Sequence, residues 1–404
     1  MARTPNYKMP AQLFHADRTT DAERNLKALV RTRLTADSTY RTHINVKEGE
    51  LFIAMPRPLT TAMARVQLTE QAIADLWNPM PGVMRWNYIT QSIREDMLAT
   101  NEMEGVRSTR REMAQAVEAA EDQRHTRFSE FARLYLSLTG TDAHMPTTLE
   151  EIRAIYDQAT DGEIADADKP DGKLFRTKDV DITTGTRILH SGTHGEEHIE
   201  RLLERMLALA ASEEMPPLLS ALAAHYLFEY VHPFYDGNGR TGRYLLALSL
   251  RQVLTLPTLL SLSQTIAAHK DRYYKAFSVS QDPLNNGELT YFIATMLELI
   301  ATGQEHLVKD LESRNESMAR LRHLCDGTSE RFGLSEGASA TLWALLQERQ
   351  FDTRPSVTIN DLVRLLDRSW QSVRGYIDEL ERHDLVHFDS HKPIRVSAAE
   401  QLTD

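Results

Sequence analysis

Two apolar runs flanking one polar turn constrain this chain more than any other feature. "PPLLSALAAHYLFEYV" (216–231) and "RYLLALSLRQVL" (243–254) carry apolar residues nearly all round a helical wheel. Such helices must be buried on every side. Both are too short to span a bilayer; the first carries His225 and Glu229, the second Arg243 and Arg251. They therefore predict a helical core, with Pro216 and Pro217 at a helix start where a missing N–H does no harm. Between them stands "HPFYDGNGRTGR", His232 to Arg243.

The surrounding pattern is mostly helical too. "GVMRWNYITQSIREDMLATNEMEG" puts Ile89, Ile93 and Met97 on one face, and Gly105 suits the residue after a helix end. Thr109 and Glu112 have the spacing of a capping box, which predicts a helix from there toward Leu138. "TTLEEIRAIYDQA", "HIERLLERMLALAA" and the stretch from Leu289 to about Leu324 read as further helices. "HINVKEGELFIAMP" suits a small hairpin around Lys-Glu-Gly, and the helical pattern sets in from about Thr69. The first forty residues are polar and weakly patterned. "DVDITTGTRILH" (179–190) reads as a short hairpin or extended flap.

"GTSERFGLSEG" looks like a linker. Beyond it, three helical segments and two short extended pieces around a polar turn form a winged-helix pattern. The expected organisation is mainly α, with a short hairpin flap: an N-terminal region over 1–80, a helical domain over 81–325, and a winged-helix-like module over 336–404.

The turn between the apolar helices needs a chemical explanation. Gly237–Gly242 fits G-x-G-x-x-G, but a helix precedes it where a dinucleotide fold needs a strand. A P-loop would need lysine and Ser/Thr where Arg243 and Tyr244 stand. What remains is specific. Glycines let backbone N–H groups approach a ligand at a helix N-terminus, which attracts anions. Arg240 and Arg243 are one helical turn apart, so both can face the same anion. Two guanidiniums plus bare amides suit a polyphosphate. Asp236 can hold a Mg²⁺ bridging two phosphates. His232 at the edge has the chemistry of a general base.

"HPFYDGNGRTGR" resembles the HPFxDGNGRxxR signature of Fic domains at every fixed position, and the resemblance covers about Pro81 to Leu307. It implies an all-α Fic bundle and transfer of AMP from ATP to a protein hydroxyl, with Mg²⁺ required and pyrophosphate leaving. By resemblance, His232 would deprotonate a target Tyr, Thr or Ser, and Phe234 would pack in the core. Asp236 would hold the metal. Gly237, Asn238 and Gly239 would cradle the α- and β-phosphates; Arg240 and Arg243, with Thr241 and Gly242 between them, would bind the β- and γ-phosphates. Thr186 to His190, including Leu189, would be the flap that aligns the target. Tyr273 and Tyr274 would lie near the adenine, with ordinary core aromatics as the alternative reading. Thr100–Gly105 resembles the family's [S/T]xxxE[G/N] inhibitory motif. Its position before the core matches the class with an N-terminal inhibitory helix, and makes Glu104 the inhibitory residue.

Three rivals stay open. Family members that phosphorylate carry lysine where Gly239 stands, which argues for AMP transfer. AMP removal, with Glu104 positioning a water, would use the same residues. A DNA-binding regulator using the central domain as a nucleotide sensor is a reading of another class, motivated by the tail. Against it, the tail from Glu336 has eight Lys or Arg and twelve Asp or Glu, and the chain's net charge is −12. A protein-interaction or dimerisation role suits the tail better, and self-modification accompanies such a site. One cysteine, Cys325, leaves no intrachain disulfide and suits a reducing cytoplasm. The N-terminus has no continuous apolar segment of a signal peptide.

Overall fold

The computed structural model describes residues 7–184, 187–351, 356–391 and 393–402; the side chains of 182–189, 351, 391 and 401 fall outside the described ones. In chain order the elements are α1 (Pro10–Ala16), α2 (Ala22–Leu34), β1 (Thr39–Val46), β2 (Gly49–Ala54), α3 (Arg57–Trp77), α4 (Gly82–Met103), α5 (Arg110–Glu121), α6 (Ser129–Ser137), α7 (Leu149–Ala159), β3 (Asp181–Thr184), β4 (Arg187–Ser191), α8 (Glu196–Ala210), α9 (Pro217–Val231), α10 (Asn238–Leu250), α11 (Leu256–Leu259), α12 (Leu262–Ala268), α13 (Lys270–Ser280), α14 (Thr290–Phe332), α15 (Glu336–Phe351), β5 (Val357–Thr358), α16 (Ile359–Leu366), α17 (Trp370–Glu381), β6 (Val386–His391) and β7 (Ile394–Ala398). The chain is mainly α, with small β-hairpins. It divides into two compact units: Met1–Ala72 with Ser92–Leu307, and Ile73–Gln91 with Val308–Asp404. This division differs from breaks at 80 and 325.

In the first unit α9 and α10 form the centre. Every residue of α9 except Pro217 and Glu229 is buried, and α10 is buried from Asn238 to Leu248. They pack closely because Gly242 has no side chain: a Cβ there would collide with the Glu229 carboxylate and Phe228. The Thr109–Glu112 capping box forms and starts α5. The helix does not run on to Leu138, however. Residues 122–127 are all polar and have nothing to bury, so the chain turns. Gln123 and Phe128 take positive φ of 55° and 67°, and Arg124 N–H closes back on the Ala119 carbonyl at 2.7 Å. Ile89, Ile93 and Met97 of α4 are buried as the spacing predicts.

Residues 7–40 are more ordered than their polarity suggests. No residue of α2 is buried, but Arg33 pairs with the buried Glu288 at 2.8 Å. Ala11 N–H of α1 donates to Asn285 Oδ1 at 2.9 Å. The hairpin β1–β2 turns at Lys47–Glu48. Its second strand meets the segment before α14, with Phe52 N–H donating to the Gly287 carbonyl and Leu289 N–H to the Phe52 carbonyl. Helix α3 begins at Arg57, twelve residues before the helical pattern is legible.

In the second unit α14 continues through the stretch that reads as a linker. Gly327 sits on an exposed face, where it costs about 1 kcal/mol relative to alanine, while Cys325 and Thr328 beside it are buried. The helix ends only at Gly333, whose φ of 60° is the left-handed conformation glycine adopts after a helix. Beyond it, α15, α16 and α17 pack on a three-stranded antiparallel sheet of order β5-β7-β6. Its core includes Leu342, Leu345, Val373, Ile377 and Val396.

Candidate active site

The site is built from the turn between α9 and α10. Helix α9 stops because Pro233 cannot continue it. His232, just before, is left-handed with φ 51° and ψ 63°, and its N–H closes on the Phe228 carbonyl at 2.9 Å. Phe234 is fully buried and stacks on Tyr156, with centroids 3.7 Å apart and planes 12° apart. Asn238 holds the turn shut from inside. Its Oδ1 accepts from Phe234 N–H at 2.9 Å, and its Nδ2 donates to the Phe234 carbonyl at 2.8 Å. Gly237, with φ 79°, then opens α10. The Thr241 hydroxyl donates back to the Gly237 carbonyl at 2.9 Å. The side chains of Asn238 and Thr241 thus serve the turn itself.

The groups left over converge on the N-terminus of α10. Arg240 is fully buried, and its Nη1 donates to the Ala159 carbonyl at 3.3 Å. Its Nε and Nη2 are buried with no hydrogen-bond partner among the described residues. A buried cation left so incompletely bonded is costly unless an anion completes it. Arg243, with a side chain 2% exposed, donates from Nε to the Thr100 hydroxyl at 2.7 Å. Its Nη2 donates to the Thr100 carbonyl at 3.3 Å and to Glu104 Oε1 at 2.6 Å. The Glu104 carboxylate also fills the space beside Gly239, where any Cβ would collide with it. An acidic side chain just beyond α4 therefore occupies the N-terminal end of α10, and Thr100 and Glu104 meet Gly239 and Arg243.

Electrostatics sort the titratable groups. Burial pushes the His232 imidazole down to about 3, helped by His190 and the Arg176 guanidinium, so the ring is neutral and can accept a proton. His232 Nδ1 is buried without a partner among the described residues. Burial is the largest influence on Arg243 and works to lower it, but Glu104, Tyr273 and Glu229 together outweigh it and raise Arg243 above its ordinary value. Burial lowers Arg240. It pushes the Glu229 carboxyl up to about 8 and His225 down to about 3. His225 Nε2 lies 2.9 Å from the Tyr273 hydroxyl, and its Nδ1 lies 3.2 Å from the Gly242 carbonyl. Tyr273 is thus a buried network residue, while Tyr274 beside it is 41% exposed.

The structure brings together Gly237, Gly239, Arg240, Arg243 and Glu104, with His232 at the start of the same turn. Asp236, at the same turn, is exposed and accepts from Gly237 N–H at 2.6 Å. Gly242 faces α9 and serves packing. Thr186 and the side chain of Leu189 lie outside the described residues; the strands around them pair as a hairpin, Ile182 opposite His190. The unpartnered nitrogens of Arg240 fit a phosphate. Among the described residues no group of three or more His, Cys, Asp or Glu could hold a metal by itself. A lone Asp236 fits Mg²⁺, which takes one or two carboxylates and completes its shell with phosphate oxygens and water.

Residues 146–250 match the model of the Fic/DOC family. About a quarter of the chain, containing α9, α10 and the turn between them, thus carries the Fic/DOC pattern. Its similarity to curated relatives is local. It is 32% identical over 90 residues to the protein adenylyltransferase Fic of Drosophila ananassae, covering 22% of this chain and 16% of that protein. It is 33% identical over 79 residues to the protein of the same name from Culex quinquefasciatus, covering 20% and 14%. The matched region thus spans under a fifth of those proteins. A crystal structure of a Fic family protein from Desulfovibrio desulfuricans G20 superposes over 86% of this chain and 97% of that chain. Its TM-score is 0.50 at 18% identity, which is likeness of fold.

The structure also gives contacts at the site to residues for which the sequence offered no role of their own. Thr100, the first residue of the Thr100–Gly105 pattern, anchors Arg243. Tyr156 backs Phe234. Arg176 reaches the backbone of His232 from a polar segment with no motif of its own.

Proposed function

We propose that this chain is a protein adenylyltransferase held back by Glu104. A target Tyr, Thr or Ser hydroxyl attacks the α-phosphorus of ATP. A new P–O bond forms, the bond from that phosphorus to the oxygen bridging the β-phosphate breaks, and pyrophosphate leaves. The neutral His232 ring takes the hydroxyl proton. Arg240 and Arg243 bind the β- and γ-phosphates, the backbone of Gly237–Gly239 cradles the chain, and the Tyr273–Tyr274 side takes the adenine. Mg²⁺ at Asp236 neutralises phosphate charge when bound. Catalysis is then positioning plus charge stabilisation.

One observation carries this reading: a buried guanidinium, Arg240, lies unsatisfied at the α10 N-terminus beside a second, Arg243, which a carboxylate already occupies. The deciding experiment is intact-mass analysis after incubation with Mg²⁺ and ATP, for wild type and Glu104→Gly. The expected result is an added AMP on Glu104→Gly, since self-modification follows where a hydroxyl can reach the site. A phosphate-sized addition, or none on the protein or on any added protein acceptor, would refute AMP transfer.

Residues 336–404 are read as a winged-helix module, supported by the three helices and the sheet order β5-β7-β6. Exposed Trp370 and Leu365 on it favour a protein or self-association surface over DNA. No helix among the described residues is long and apolar enough to cross a membrane. A cytoplasmic site of action is proposed on the single cysteine, Cys325, which is free and suits a reducing compartment.

A further inference from the structure

Arg176 is among the most buried side chains described, with 0% of its surface exposed, yet its guanidinium donates to backbone carbonyls and not to a carboxylate. Its partners are backbone carbonyls. Nε donates to His232 O at 2.8 Å, Nη1 to Lys178 O at 2.6 Å, and Nη2 to Thr193 O at 2.8 Å and Val231 O at 3.3 Å. Its own N–H donates to Pro233 O at 3.1 Å. These carbonyls come from three segments: the one entering the β3–β4 hairpin, the one leaving it, and the end of α9. Two backbone bonds complete the knot, Gly192 N–H to Val180 O at 2.9 Å and Thr193 N–H to Val231 O at 3.0 Å. Gly192 leaves the room, since a Cβ there would collide with Arg176 Nη2 and lie 3.2 Å from the His232 Cβ.

We infer that Arg176 is a positioning residue for His232: its guanidinium fastens the base of the flap hairpin to the backbone of the histidine, so that the strand aligning a target and the base receiving its proton move as one body. This rests on the reading of His232 as the base. Only a planar fork of five donors can serve carbonyls in several directions at once; a lysine ammonium cannot hold that geometry. The bonds also hold His232 left-handed, a conformation that needs surrounding support in a residue other than glycine. The guanidinium charge has a second consequence, because with burial and His190 of β4 it keeps the imidazole neutral. Facing Arg176 in turn are Tyr235 and Asp179.

The test uses the whole 404-residue chain with Glu104→Gly as the active background, so that this protein's own AMP transfer separately tests the proposed function. Onto it go Arg176→Lys, Arg176→Met and Gly192→Ala, the last displacing the guanidinium without removing it. Misplacement of the base predicts a fall in kcat of about tenfold for the lysine variant and about a hundredfold for the methionine variant. KM for ATP should stay within about twofold, since Arg176 contacts none of the phosphate-binding groups. Two readouts need no activity. Hydrogen exchange at the Gly192 and Thr193 amides should quicken in all three. NMR titration of His232 should move upward in Arg176→Met and stay low in Arg176→Lys. Folded variants with unchanged kcat and an unchanged His232 titration would overturn the inference. So would a failure of all three to fold, which would make Arg176 a core residue and nothing more.

Discussion

Removing the Glu104 charge tests the link between the two halves of the site. The carboxylate meets Arg243 at 2.6 Å, with side-chain exposures of 18% and 2%. A hydrogen bond to a charged group in such a place contributes about 1.5–3 kcal/mol. Any γ-phosphate reaching Arg243 must first displace it. At 1.4 kcal/mol per decade, its removal raises productive engagement of ATP by about 10–150-fold. Glu104→Gly should approach that limit. Helix α4 ends at Met103, and Gly105 already has a left-handed φ of 71°, so a glycine at 104 disturbs no helical turn. The carboxylate is also badly placed for α4 itself, because a helix C-terminus disfavours negative charge. Glu104→Gln keeps the length and a neutral hydrogen bond of about 0.5–1.5 kcal/mol, so its gain should be intermediate. The assay is the initial rate of AMP incorporation at ATP below KM for the three proteins. Equal rates would refute the competition and leave Glu104 a structural partner of Arg243. A gain in Gly but none in Gln would mean that space, not charge, is what Glu104 withholds.

Three further outcomes follow from the same geometry. His232→Ala should lose transfer by about a hundredfold or more while calorimetry shows ATP still binding, because in the proposed mechanism the ring serves the attacking hydroxyl and not the phosphates. Arg240→Met should weaken ATP binding by about 10–150-fold without lowering the melting temperature, since two of its buried nitrogens have no partner to lose; a large drop in melting temperature with unchanged affinity would make Arg240 structural. Glu229 carries a pH signature. Burial raises its carboxyl from 4.5 to about 8, so the native state keeps a proton that the unfolded chain releases, and stability present below 4.5 is lost as pH rises toward 8. Glu229→Gln should therefore match wild type near pH 4.5 and exceed it near pH 8 by on the order of 3 kcal/mol, read from denaturant unfolding at both pH values.

The chemistry of this chain was legible where it is local. His232, Asp236, the glycines and both arginines lie within twelve residues. A turn between two helices needs only neighbouring residues to set its backbone, so their types alone raised the expectation of an anion site with a base beside it. The capping box at Thr109 was legible for the same reason. What each group faces was decided by parts of the chain far away. Gly239 and Gly242 are alike in sequence, but Glu104 fills the space beside the first and Glu229 that beside the second. Gly327 reads as a break and is helical, because buried neighbours on α14 outweigh a small propensity. The N-terminal helices form on partners such as Glu288, 255 residues beyond Arg33. Arg176 carries no motif, since four carbonyls from three segments give it its role and a carbonyl leaves no mark on a sequence. Local backbone preference depends on nearby residue types and can be read in order; burial and the pairing of distant polar groups exist only once the chain has closed on itself.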